Sequence, residues 1–159
     1  MVEDDEHGQQ GQGRGGRGKA DCVFCGIMEG RLPASVAYED HIVVAFMDIR
    51  PVNPGHLLVV PRRHFPHLSD MDEYTGVHLF RIALRLQDAV RRSGVRCEGI
   101  NLFVADGEAA GQEILHVHVH IIPRYKGDGF KIEANWSERP PYEELDAIAA
   151  RIREAYSGC

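Results

Sequence analysis

Residues 116–122 read HVHVHII. In an extended chain residues i, i+2 and i+4 share a face, so His116, His118 and His120 point one way and Val117, Val119 and Ile121 point the other. Neighbouring imidazoles on the shared face lie roughly 6.5–7 Å apart. The apolar side suits a core. The histidine side suits chemistry, because packing gives no reason to place this residue three times in register. A lone histidine would read as a solvated or internally satisfied imidazole. The run predicts a strand, ILHVHVHII, ended by Pro123.

Two chemistries fit three imidazoles on one face. An H-x-H pair can supply two ligands to zinc or iron, with a carboxylate from elsewhere. Alternatively, one imidazole attacks phosphorus or a carbonyl carbon, a neighbour fixes its tautomer, and a third donates to developing charge. The preceding loop, DGEAAGQ at 106–112, favours the second. Gly107 and Gly111 let backbone N–H groups approach an anion closely, and Gln112 adds a neutral donor. An anion cradle beside a histidine row points to phosphoryl chemistry. An oxygenase or cupin site would want a carboxylate just past H-x-H, where this chain has Pro123 and Arg124.

Working outward, the pattern is one of short strands around a long helix. SVAYEDH and IVVAFMDI read as strands with a turn at Glu39–Asp40, RPVNPG as a loop, and HLLVVPRRH as a strand ended by Pro61. Start signals at Ser69–Glu73 open a helix reaching about Ser93, with Leu79, Ile82, Ala83, Leu86 and Val90 on one face. GINLFVA is a further strand. CVFCGIMEG near the start is a short helix or turn ending at Gly30. Glu143 to Tyr156 forms an amphipathic helix with Leu145, Ile148, Ala149 and Ile152 on one side. Together these predict an α+β domain on an antiparallel sheet.

The 159 residues, 43% hydrophobic, suffice for one domain with a core. Residues 1–20 are glycine-rich without an apolar anchor and are expected to be a disordered tail. They read as a leader with no active role in preference to an RGG-like RNA-binding arm. Residues 21–159 are expected to form a single domain. A net charge of -6 argues against nucleic acid as the partner. No apolar run reaches the roughly 18–20 residues of a membrane span. With no apolar leader in MVEDDEHGQQ, a cytoplasmic protein is expected. Four cysteines are present, of which Cys22 and Cys25 form C-x-x-C. The pair does not follow an apolar strand, which favours a metal site or plain packing over a redox couple.

HVHVHII resembles His-φ-His-φ-His-φ-φ, the signature of the histidine-triad (HIT) nucleotide hydrolases and transferases. DCVFCGIMEGRLPASVAYEDHIVVAFMDIRPVNPGHLLVVPRRHFPHL is similar to the N-terminal half of bacterial members, and AAGQEILHVHVHIIPR to the catalytic half. The resemblance covers about Asp21 to Phe130. It implies a HIT-like fold: about five antiparallel strands, one long central helix and a C-terminal helix.

It also implies roles. His118 matches the nucleophile that attacks the α-phosphorus of a nucleotide conjugate and becomes covalently nucleotidylated. Water or another acceptor then releases the nucleoside monophosphate. His120 matches a phosphate contact, and His116 a residue that orients its neighbours or binds metal. His56 matches a fourth histidine near the same centre. Asp48 matches the acidic residue that holds the ribose hydroxyls. Phe46 and Ile49 match the base pocket, and Gln112, with Gly111, the phosphate loop. Family chemistry needs no catalytic metal.

Zinc-bearing relatives use C-x-x-C, a later histidine and the first triad histidine, here Cys22, Cys25, His64 and His116, as a structural site. The alternative is that the cysteines are small buried hydrophobes and His64 lies on the surface. Relatives are mostly homodimers, so Trp136 and ERPPYEE are expected either to reach a partner or to pack locally. Two positions depart from the pattern. Ala105 stands where many relatives have Asn or Gln, and Glu113 where phosphoramidate-cleaving branches have Ser or Thr.

The expected activity is hydrolysis at the α-phosphate of adenosine or other purine nucleotide conjugates. Candidate substrates are phosphoramidates, aminoacyl adenylates and dinucleoside polyphosphates. The runner-up is a nucleotide-binding or regulatory protein with slow or vestigial turnover, which Ala105 and Glu113 favour and the intact triad opposes.

Overall fold

The computed structural model describes residues 19–158. The expected N-terminal tail lies almost wholly outside the described residues. The chain divides into two compact units, the first ending at Asp128 and the second beginning at Gly129.

The first unit is built on five antiparallel strands: β1 (Val36–Glu39), β2 (Val43–Met47), β3 (Leu57–Pro61), β4 (Gly99–Phe103) and β5 (Val119–Arg124). Their order across the sheet is β1-β2-β3-β5-β4. The central strands alternate in register. Val43, Ala45, Leu57, Val59, Val119 and Ile121 fall on one face and pack with helix α2 (Glu73–Arg92) through Leu79, Ile82, Ala83 and Val90. Val44, Phe46, Leu58 and Val60 fall on the other and pack with helix α1 (Val23–Met28) through Phe24 and Cys25. Truncating a core residue such as Ile82 to Ala should cost about 2–5 kcal/mol.

The start of α2 is chemically explicit. Asp72 accepts from the Thr75 N–H at 2.9 Å and from its hydroxyl at 3.0 Å, which caps the first turn. Arg91 and Arg92 occupy the last turn, where cations complement the helix dipole, and Gly94 at φ +85° ends it. The side of α2 away from the core leaves Tyr74, Val77 and Phe80 exposed.

The histidine strand differs from expectation at both ends. It begins only at Val119, because Val117 donates to the Phe65 carbonyl at 2.7 Å instead of joining the ladder. It also runs through Pro123, which pairs with Ile100 of β4. Pairing with β3 ends at Leu57–Ile121, so beyond that point a missing N–H interrupts no ladder bond. Asn53 Nδ2 instead donates to the Pro123 carbonyl at 2.8 Å.

The second unit contains helix α3 (Tyr142–Ser157). Its apolar residues Leu145, Ile148 and Ile152 are exposed, and so is Trp136, at 76%. Trp136 is therefore not a local core residue.

Candidate active site

Alternation places His118 and His120 on the α1 face of the sheet, opposite Val119 and Ile121. His120 sits across from Leu58 of β3 and Phe103 of β4, and its ring centroid is 4.8 Å from that of His118. His116 is buried completely, just before the strand begins. Phe24 of α1 lays its ring edge-on to His118 at 5.1 Å, which covers one side of the imidazole.

Hydrogen-bond partners fix every tautomer in the cluster. His118 Nδ1 lies 2.7 Å from the His116 carbonyl, which can only accept, so Nδ1 carries the proton and Nε2 keeps its lone pair. Val52 donates its backbone N–H to His56 Nδ1 at 3.1 Å, so the proton of His56 is on Nε2. His56 Nε2 lies 2.9 Å from His120 Nδ1 and donates to it. His120 in turn carries its own proton on Nε2. The cluster therefore presents one lone pair, on His118, and one N–H donor, on His120.

Burial makes these imidazoles resist protonation. It lowers His118, with the His116 carbonyl and the Asp48 and Glu113 charges opposing. It pushes His120 down to about 4, with His118 and His56 adding to the effect. His56 is lowered as well, although the Asp48 carboxylate stands 3.5 Å from its Nε2. Desolvation of a nearly buried ring outweighs that one partner. The cluster is uncharged near neutral pH, and His118 Nε2 keeps an unprotonated lone pair.

Asp48 follows β2, and its Oδ1 accepts from the Arg50 N–H at 2.8 Å. Ile49 between them is open to solvent at 92%, whereas Phe46 is buried, with its ring 5.4 Å from Phe24. Gln112 is buried and largely committed: Oε1 accepts from Gly107 N at 2.7 Å and Nε2 donates to the Pro66 carbonyl at 2.8 Å. It holds the shape of the loop in which Gly107 and Gly111 adopt positive φ. Ala105 is buried, and Glu113 is exposed at the end of that loop.

On the other side of the triad, Cys22, Cys25, His64 and His116 converge with their donor atoms within 4.8 Å of one another. Tetrahedral bonds of roughly 2.3 Å to sulfur and 2.0–2.1 Å to nitrogen place S and N about 3.6 Å apart. The observed separations are 3.4 Å for Cys22–His116, 3.4 Å for Cys25–His64 and 3.7 Å for Cys25–His116. His116 Nε2 donates to the Pro61 carbonyl at 2.8 Å, which turns the Nδ1 lone pair toward the sulfurs. The donor set, spacing and tautomer all fit a zinc ion. Asp48, His56 and His120 also come within 4.8 Å of one another, but there a proton already joins the two imidazoles.

Three contributors escape a reading of the sequence. Phe24 was hidden between the two cysteines, the backbone N–H of Val52 carries no side-chain signal, and Arg50 reads as an ordinary loop cation. Only the position of Arg50, two residues after Asp48, could have pointed to it.

A HIT domain is matched over residues 29–127. An uncharacterised HIT-like protein of Borreliella burgdorferi is 41% identical over 111 residues, which cover 69% of this chain and 80% of that one. The adenylylsulfatase HINT3 of Arabidopsis thaliana is 37% identical over 109 residues, 68% of this chain and 54% of its own. A zinc-bound histidine triad family protein from Mycobacterium smegmatis superposes with a TM-score of 0.68 at 36% identity, covering 87% of this chain and 99% of that one. The five-stranded sheet, the triad and these similarities agree: this chain belongs to the HIT-domain family.

Proposed function

We propose that the protein hydrolyses purine nucleotide conjugates at the α-phosphate, with adenosine as the nucleoside, through a covalent nucleotidyl-histidine. The observation that carries this reading is the tautomer of His118: Nδ1–H is spent on the His116 carbonyl, and Nε2 is left as a buried, neutral nucleophile. Nε2 attacks phosphorus and forms an N–P bond. The bond to the leaving group breaks with its electron pair, and the departing atom takes a proton from solvent. Water then attacks the same phosphorus and releases a proton to solvent, the N–P bond breaks and its pair returns to Nε2. Nucleoside monophosphate leaves.

His120 Nε2–H is a donor for a phosphoryl oxygen, held in that role by His56. Asp48 is the acceptor for the ribose hydroxyls, Ile49 offers an apolar surface to the base, and Gly111 and Gln112 shape the phosphate loop. Phe46, buried against Phe24, is the second residue assigned to the base pocket. The name of the Arabidopsis relative, an adenylylsulfatase, favours adenosine phosphoryl conjugates over other substrates.

Zinc held by Cys22, Cys25, His64 and His116 is structural in this reading; it ties α1 to the start of the histidine run. The exposed Tyr74, Val77 and Phe80 on α2 suit a homodimer contact. No helix among the described residues is long and apolar enough to cross a membrane. A Cys-His zinc set suits a reducing compartment, which points to the cytoplasm. The test is turnover. Purified protein and its His118→Ala variant are incubated with adenosine phosphoramidate and diadenosine polyphosphates without added metal, and AMP is followed. Repeated turnover by the wild type alone supports the enzyme. AMP binding without turnover by either protein overturns it.

A further inference from the structure

Arg50 and Glu113 form an ion pair that the reaction scheme does not use. Arg50 Nη2 lies 3.0 Å from Glu113 Oε2, across 63 positions of sequence. Both ends are anchored. The Arg50 N–H is bonded to Asp48, and Glu113 follows Gln112, whose side chain is fixed to Gly107 and Pro66. The pair thus bridges the turn that bears Asp48 and the loop that leads into the triad.

The side chains are 80% and 75% exposed, and such a pair contributes little to folding. It opens easily. Beside the histidines stand two carboxylates, Asp48 and Glu113, and one guanidinium, Arg50.

We propose that Glu113 is a specificity residue. Its carboxylate, beside Arg50 on the loop that leads into the triad, favours leaving groups that carry a positive charge and disfavours leaving groups that carry further negative charge. The proposal rests on the nucleotidyl-transfer reading above and deepens it. In that reading Asp48 holds the nucleoside, Arg50 follows it by two residues, and Glu113 stands on the loop that leads into the triad, 3.0 Å from the Arg50 guanidinium. Arg50 engages Oε2 of Glu113, so Oε1 can meet an ammonium without breaking the pair. An anionic leaving group must instead displace Glu113 from Arg50 or lie beside a carboxylate. Among conjugates with the same bond to phosphorus, one whose leaving group bears an ammonium is therefore preferred to one whose leaving group bears a carboxylate.

The test uses three adenosine 5′-phosphoramidates with the same P–N bond, whose amine chains end in an ammonium, a methyl or a carboxylate. Values of kcat/KM are measured for the wild type and Glu113→Gln at low and high salt. The wild type should favour the cationic over the anionic compound on the order of tenfold at low salt, mostly through KM. The ratio should shrink toward unity in Glu113→Gln and, for the wild type, at high salt. A wild-type ratio within about twofold, or an equal ratio in Glu113→Gln, overturns the proposal, and turnover of all three compounds then leaves nucleotidyl transfer standing. If the wild type cleaves none of them, the transfer reading fails. The same ratios read as equilibrium competition against a fluorescent AMP analogue then decide the role of Glu113.

Discussion

His118 donates its Nδ1–H to the backbone carbonyl of His116, whose own side chain faces Cys22 and Cys25. One residue therefore belongs to two centres. Its imidazole completes the Cys-His cluster, and its carbonyl sets the tautomer of His118. Disorder in the first centre should reach the second without any direct contact.

The wild type should carry one zinc per chain by elemental analysis, and Cys22→Ser should lose it. Burial and the adjacent Cys22 push the Cys25 thiol up to about 11, so metal uptake must displace protons and should weaken as pH falls. Loss of the metal should lower Tm by on the order of 10 °C. A metal-free wild type of undiminished stability would contradict this assignment.

The pH profile should show a nucleophile that stays neutral. Burial lowers His118 from 6.5, so its reactive form dominates at pH 7 and is lost only as pH falls through the lowered value. The acid limb of kcat/KM, which reports the free enzyme, should have its midpoint below pH 6.5. A midpoint above that value would show that the Asp48 and Glu113 charges outweigh burial.

His56→Ala removes the donor that fixes the His120 tautomer. The Nε2–H of His120 is then no longer enforced, and kcat should fall about 10–100-fold with a smaller change in KM. A far-UV spectrum like that of the wild type would confirm that the fold survives. Unchanged kcat in a folded variant would remove His56 from the relay.

Asp40 makes a prediction about stability rather than activity. Burial opposes its ionisation, but the Val43 and Ile42 N–H groups, His78 and Tyr38 all bond to the carboxylate and hold it well below the usual range. A depressed value stabilises the fold above the unfolded pKa of 3.8 and is lost as pH falls through the folded value. Asp40→Asn should therefore cost about 1–3 kcal/mol in denaturant unfolding at pH 7, and the difference should narrow in acid. A constant difference down to pH 2 would contradict the ionic origin.

Much of this was legible in the sequence because strand alternation is rigid. Once His116–Ile122 is extended, the valines must face α2 and the histidines must face α1. The helix stripe at Leu79, Ile82, Ala83 and Val90 was equally plain, since a 3.6-residue period has few other readings. What escaped was tertiary. Pro123 looked like a strand terminator because only its neighbours in space reveal that β3 has already ended there. Gln112 looked like a free donor until Gly107 and Pro66 were seen to occupy it. The Arg50–Glu113 pair joins residues 63 positions apart, and no local pattern announces such a contact.

The most direct test of the central claim is to trap the intermediate. Wild-type protein is mixed with an adenosine phosphoramidate, quenched in base within the first turnover to preserve the N–P bond, and mapped by peptide mass spectrometry. One adenylyl group on His118, absent from His118→Ala, is the expected result. Adenylylation of His116 or His120 instead, or rapid AMP release from His118→Ala, would contradict the account.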